Sequence, residues 1–122
     1  ALRERLARSA QALPEAVTAA VRESAVEAHL VKVAALAGGL VRKVQWIGRR
    51  GAPDRLVMLR AFKGFPARTV WVEVKRPKGG VLEDHQIREH ARMREHGQEV
   101  VVLWTIADID TFFEERRTWY SN

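Results

Sequence analysis

Hydrophobic residues recur with two different periods along this chain, and the switches between the periods mark its elements. Leu2, Leu6, Ala10 and Leu13 return at helical spacing among arginines, which predicts a short amphipathic helix over the first dozen residues. Pro14 suits a first helical turn, and the pattern then predicts helix from Glu15 to Ala37, with or without a break near Ser24. Val26, Leu30, Val33 and Ala37 form its expected buried stripe, and Gly38-Gly39 stops it. From Leu40 to Ile47 the period drops to two, with Lys43 on one face and Val44 and Trp46 on the other, as in a strand.

A turn-rich loop, Gly48-Arg49-Arg50-Gly51-Ala52-Pro53, leads into predicted strands over Arg55–Arg60 and Thr69–Lys75, joined by a tip around Lys63-Gly64-Phe65-Pro66. Pro77 to Gly80 breaks the chain again. Asp84–His96 reads as helix with Gly97 as its stop, and Glu99–Trp104 is an almost continuous apolar run, as in a strand covered on both sides. Thr105, with Asp108 three residues on, opens a last helix whose inner face is Ile106, Ile109 and Phe113. The order helix, three strands, helix, strand, helix predicts an α/β fold around a four-stranded mixed sheet.

Composition narrows the class. The chain has 122 residues, 47% hydrophobic and 30% charged, which fits one globular domain with a real core. With 21 Lys+Arg against 15 Asp+Glu the net charge is +6, which favours a polyanionic partner. There is no cysteine, so disulfides and thiolate metal sites are excluded. No apolar run approaches the ~20 residues of a membrane span and no signal-peptide pattern follows the basic start, so a cytoplasmic location is the expectation.

The candidate chemistry lies where acids interrupt the strand pattern. Asp54 opens one predicted strand, and Glu73 and Lys75 sit two residues apart on the next, pointing to one face with Val74 on the other. If the two strands pair as a hairpin, two carboxylates and an ammonium converge. Clustered carboxylates repel unless a cation sits between them, and oxygen ligands favour Mg²⁺ or Mn²⁺ over zinc. Such a site suits phosphodiester hydrolysis. Taken singly these residues have ordinary readings: Pro53-Asp54 is common turn chemistry, and Glu73 with Lys75 could be a solvated strand face. Trp71 on that same face weakens the solvated reading. Ser24-x-x-Glu27 matches a capping box, although helix upstream of Ser24 would remove the need for a cap. Gln86 shares a helical stripe with His90 and Met93 and is expected to face inward. His29, His85, His90 and His96 form no zinc-binding spacing and read as surface or core-edge residues.

The ordered set Glu27, Gly51-Ala52-Pro53-Asp54, Glu73-Val74-Lys75 and Gln86 resembles the VRR-NUC family within the PD-(D/E)xK nuclease superfamily. The resemblance runs from about Ser24 to Phe113, including Gly38-Gly39, Lys43 and the Gly48–Leu59 segment. It implies a restriction-endonuclease-like αβββαβ(α) core over residues 21–122, with residues 1–20 as a helical extension and candidate dimer element. It further implies that Asp54, Glu73 and the Val74 carbonyl ligate Mg²⁺, with Mn²⁺ able to substitute and no organic cofactor. Glu27 would add a carboxylate, directly or through water. Lys75 would orient the attacking water, and Gln86 would hold Lys75, a water or the phosphate. Lys43 would face the DNA, while Arg49, Arg50 and Arg55, flanking Asp54, and Arg76 and Lys78 would contact phosphates. Lys63 and Arg68 near the loop tip would touch DNA or simply be exposed. Glu83-Asp84 stands where the family often has a small hydroxyl residue, a departure that replaces a neutral hydroxyl by two acids at that turn.

The expected activity is a metal-dependent endodeoxyribonuclease of bacterial or phage type, acting inside the host cell. Within it, a homodimeric resolvase of four-way (Holliday) junctions fits the small size and the resemblance. A flap or restriction-like nuclease and a non-catalytic basic DNA-binding module are the rival readings. The module reading has to explain why carboxylates would be aimed at a phosphate.

Overall fold

A computed structural model describes residues 22–64 and 66–121; the expected N-terminal helix and its dimer role lie outside the described residues. The elements are α1 (Glu23–Leu36), β1 (Leu40–Lys43), β2 (Arg55–Leu59), β3 (Arg68–Val74), α2 (Asp84–Glu95), β4 (Val100–Leu103) and α3 (Ile106–Ser121). Type and order follow the sequence pattern throughout.

The four strands lie in chain order in one sheet, with β1–β2 and β2–β3 antiparallel and β3–β4 parallel. The parallel step requires a crossover, which α2 supplies. Val57 and Leu59 of β2 and Val70, Val72 and Val74 of β3 point to one face. There they meet Val26, Leu30, Val33 and Ala34 of α1 and Ile109, Phe112 and Phe113 of α3. The opposite face carries Trp71 and Glu73 and is covered by α2. The sheet is therefore sandwiched between helices, and its alternation separates an apolar face from a chemical one.

Three differences from the sequence reading have local causes. β1 ends at Lys43 rather than Ile47. Its ladder continues through one further bond, Val44 N–H to the Asp54 carbonyl at 2.8 Å, and then meets Pro53, which has no N–H to donate. α1 begins at Glu23, with Arg22 extended, so Ser24 lies inside the helix and makes no cap bond. The capping reading of Ser24 and Glu27 therefore fails, and of the two arrangements the pattern allowed, the helix breaks just before Ser24, at Arg22. Third, Arg68 belongs to β3 rather than to the loop tip. At the end of α1, Gly38 takes a φ of +76° that a side chain would resist, and Gly39 N–H returns to the Ala34 carbonyl at 2.8 Å.

The last helix opens as its sequence predicts. Thr105 Oγ1 accepts from the Asp108 N–H at 2.9 Å, and the Asp108 carboxylate accepts from Thr105 N–H at 3.1 Å. Where periodicity predicted only an apolar interface, α1 and α3 are also pinned by a buried pair, His29 Nε2 to Asp110 Oδ1 at 2.7 Å. No helix among the described residues is long and apolar enough to cross a membrane.

Candidate active site

The β2–β3 register sets the site. Arg55 pairs with Val72 and Leu56 with Trp71, so the next position outward sets Asp54 opposite Glu73. Directly opposed residues of an antiparallel pair share a face. Two carboxylates thus stand side by side at one end of the sheet, at the start of β2 and near the end of β3. The hairpin expected from sequence delivers them there.

Their environments differ. The Asp54 side chain is 45% exposed, whereas that of Glu73 is 12% exposed. Burial pushes the Glu73 carboxyl up to about 7; Lys75 opposes this, Asp54 and Glu23 add to it, and a hydrogen bond from Gln86 opposes it. The shift is chiefly one of lost hydration, and Lys75 is the largest of the charges acting on the carboxyl.

Gln86 has both ends of its amide engaged. Its Oε1 accepts the Glu83 N–H at 2.9 Å at the start of α2, which leaves Nε2 to donate to Glu73 Oε1 at 3.2 Å. Gln86 faces the site as expected, and its partner is Glu73. One turn later His90 is wholly buried, with Nε2 3.8 Å from Glu73 Oε1 and no hydrogen bond to either ring nitrogen among the described residues. Burial lowers its pKa, as do the nearby charges of Arg94 and Lys75, against the Gly51 backbone and Glu89, which raise it. A core-edge or surface role was expected of the histidines; His90 instead lies in the interior behind Glu73. The signal available was its i+4 spacing from Gln86.

The Gly51–Asp54 loop is held against α2 by close backbone packing. Gly51 has φ +91°, and a Cβ there would lie 2.6 Å from the His85 carbonyl oxygen. Only glycine permits that approach, which fixes Asp54 relative to the helix bearing Gln86 and His90.

Several candidates fall elsewhere. Glu27 projects to the α1 side of the sheet and pairs with Arg55 at 3.0 Å. The charge from α1 that reaches Glu73 is that of Glu23, one turn earlier, so Glu27 is not the helix acid closest in effect to the metal candidates. Glu23, four residues earlier on the same helix, lines the cleft beside Lys75. Arg55, 11% exposed, is spent on Glu27 and on Asp54 at 3.5 Å, which makes it an interior ion-pair partner rather than an open phosphate contact. Lys43 is exposed and opposite Arg55, hence on the α1 face as well. Lys63 and Arg68 sit at the hairpin end, five residues of strand away from the carboxylates, or about 17 Å. Lys63 lies over the Phe62 ring at 5.4 Å, and Arg68 bonds Glu99 at 2.7 Å. Neither is placed to touch a phosphate held at Glu73.

The remaining cations do border the site. An open cleft of about 850 Å³ is lined by Glu23, Lys75, Arg76, Lys78 and Glu83. Arg76 is steadied by a bond to the Gly79 carbonyl at 3.1 Å. Arg49 and Arg50 are exposed on the loop before Asp54, and Arg49 is tied to Glu89.

A divalent cation fits this donor set in part. Asp54 and Glu73 are hard oxygen ligands whose mutual repulsion a cation would relieve. Among the described residues, however, no group of three or more His, Asp or Glu side chains is placed to hold a metal ion. The side-chain set is the Asp54–Glu73 pair, and other positions would fall to backbone oxygen, water and substrate, as Mg²⁺ commonly accepts.

No family model matches the chain. A solved structure described as a VRR_NUC domain superposes with a TM-score of 0.66 and 34% identity, over 77% of this chain and 97% of that one. "Putative nuclease p44" of Acyrthosiphon pisum secondary endosymbiont phage 1 is 42% identical over 83 residues, which are 68% of this chain and 83% of its own length. The fold, the paired carboxylates and these likenesses agree: the chain belongs to the VRR-NUC family of nucleases.

Proposed function

We propose that this chain is a metal-dependent endodeoxyribonuclease, and that Asp54, Glu73, Lys75 and Gln86 carry its chemistry. The observation that supports this most directly is the Asp54–Glu73 pair: two opposed carboxylates, one of them mostly withdrawn from solvent, beside a lysine and a cationic cleft. Asp54, Glu73 and the Val74 carbonyl would hold Mg²⁺ or Mn²⁺, which supplies a Lewis acid for the phosphate and a lowered pKa for water. Lys75 is the one cation two residues along the same strand face as Glu73, positioned to hydrogen-bond the attacking water or a non-bridging phosphate oxygen as charge develops. Gln86 fixes the orientation of the Glu73 carboxylate, because its own amide is locked by the α2 N-terminus. Arg76 and Lys78 hold the substrate backbone in the cleft.

The finer reading is a homodimer that resolves four-way DNA junctions in the cytoplasm of a bacterial cell. Its support is the phage origin of one relative. Two symmetric nicks also follow naturally from one site per subunit in a C₂ dimer. The test is cleavage of labelled duplex, single strand, flap and four-way junction, with and without Mg²⁺ or Mn²⁺, beside Glu73→Gln. Metal-dependent cutting lost in the variant is expected, with the junction cut in paired strands and a sedimenting mass near twice 13.9 kDa. Cutting that survives in EDTA overturns the metal reading. A monomer that cuts flaps and junctions alike overturns the resolvase reading and leaves a flap-type nuclease.

A further inference from the structure

On the chemical face of the sheet, beside the carboxylates, lies a second feature that phosphodiester hydrolysis does not use. Trp71 stands two residues before Glu73 on β3, and Trp46 reaches the same face from the β1–β2 loop; their rings lie 5.1 Å apart at 49°. With Met93 they line an open, largely apolar groove of about 450 Å³, rimmed by Arg49, Arg92 and Gln98. Both indole N–H groups are satisfied inside the protein, Trp46 by the Pro53 carbonyl at 2.8 Å and Trp71 by Gln98 Oε1 at 3.0 Å. What remains to a ligand is π surface.

We infer that this groove receives an unpaired nucleobase of the substrate strand, adjacent to the phosphate held at Asp54 and Glu73. Aromatic faces bind bases of any sequence by stacking. Two strand residues, about 7 Å, separate Trp71 from Glu73, a distance on the scale of one nucleotide. Trp46 is bonded to the residue before Asp54, so the base site and the phosphate site move as one loop. The rim is cationic: Arg49 and Arg92 share the single carboxylate of Glu89, at 2.5 and 3.4 Å, which leaves charge and N–H groups for a flanking phosphate. Ile47, the neighbour of Trp46, is 92% exposed. An apolar side chain at that edge is placed to fill the gap in a duplex from which a base has been withdrawn. The consequence is a preference for DNA with an unpaired base at the cut, as at a branch, flap or frayed end.

The inference rests on the nuclease reading of the carboxylate site, and the test separates the two. A duplex carrying one unpaired 2-aminopurine and the fully paired duplex are each titrated with the Glu73→Gln protein, on its own and with Trp46→Leu or Trp46→Phe added. Stacking should quench the 2-aminopurine. Trp46→Leu should relieve the quenching and lose about tenfold or more affinity for the unpaired DNA relative to the paired one, whereas Trp46→Phe, which keeps a ring, should retain both. Equal losses on the two DNAs, or a bright 2-aminopurine in the complex, overturn the base site and leave the nuclease reading intact. Failure to bind either DNA with Trp46 present overturns the base site, and absence of metal-dependent cleavage by the wild type overturns the nuclease reading as well. Circular dichroism of each variant checks that the fold is retained.

Discussion

Replacing Glu73 by Gln should stabilise the metal-free protein at alkaline pH while abolishing cleavage. The carboxyl is pushed from near 4.5 to about 7, chiefly by burial. At about 1.4 kcal/mol per pH unit, ionised Glu73 costs the fold about 3 kcal/mol, an upper figure. A raised carboxyl pKa means that the folded state holds the proton after the unfolded chain has released it. Below pH 4.5 both states are protonated and there is no cost. Between about 4.5 and 7 stability falls as pH rises, and above 7 the loss is complete. Glutamine carries no charge at any of these pH values and still accepts the Gln86 hydrogen bond. In EDTA, urea unfolding should therefore place the variant about 2–3 kcal/mol above the wild type at pH 8, with the gap closing by pH 4.5. Mg²⁺ should raise the wild type and not the variant, by about 2.7 kcal/mol at a hundredfold excess over its dissociation constant. A variant no more stable than wild type at pH 8, or a gap independent of pH, would refute the account of a carboxylate that burial leaves only partly compensated.

The other expectations are more local. Lys75→Ala should reduce cleavage by about a hundredfold or more with DNA affinity largely kept; a parallel loss of both would make Lys75 an anchor instead. Gly51→Ala should cost more than about 1 kcal/mol, since the new Cβ meets the His85 carbonyl at 2.6 Å and φ is +91°. It should also slow cleavage by shifting Asp54, and unaltered stability and rate would show that the loop yields freely. Asp110→Ala leaves buried His29 without its partner and should cost about 1–3 kcal/mol in thermal or urea unfolding; its site-remote position should leave the cleavage rate of the folded enzyme unchanged. Arg50→Ala should flatten the log–log salt dependence of DNA binding by about 0.9 if Arg50 neutralises one phosphate, and an unchanged slope would mean that it points away from the DNA.

Much of this architecture is written in the chain's periodicity. Alternation along Thr69–Lys75 already separates Val70, Val72 and Val74 from Trp71, Glu73 and Lys75, because a strand's side chains must take opposite faces. The helical stripe Val26, Leu30 and Val33, the Thr105–Asp108 start of α3 and the order of elements follow equally from local rules. What a period does not contain is the identity of the neighbour across the gap. Glu27 and Glu23 are equivalent in sequence, one turn apart, and only the packing of α1 over the sheet gives Glu27 to Arg55 while the charge of Glu23 reaches Glu73. Arg55 resembled a phosphate contact because it follows Asp54, yet in a strand adjacent residues face opposite ways, and the α1 face supplied its partner. Lys63 and Arg68 are near Asp54 in sequence, but a hairpin returns its ends and not its tip, so pairing sent them to the far end of the sheet. His90 was an ordinary helical histidine until α2 closed over β3 and sealed it behind a carboxylate. The type and order of the elements, and the two faces of β3, follow from local pattern alone. Tertiary packing alone decided which charges meet and which lose water, because burial and ion pairing depend on contacts between segments that no local pattern encodes.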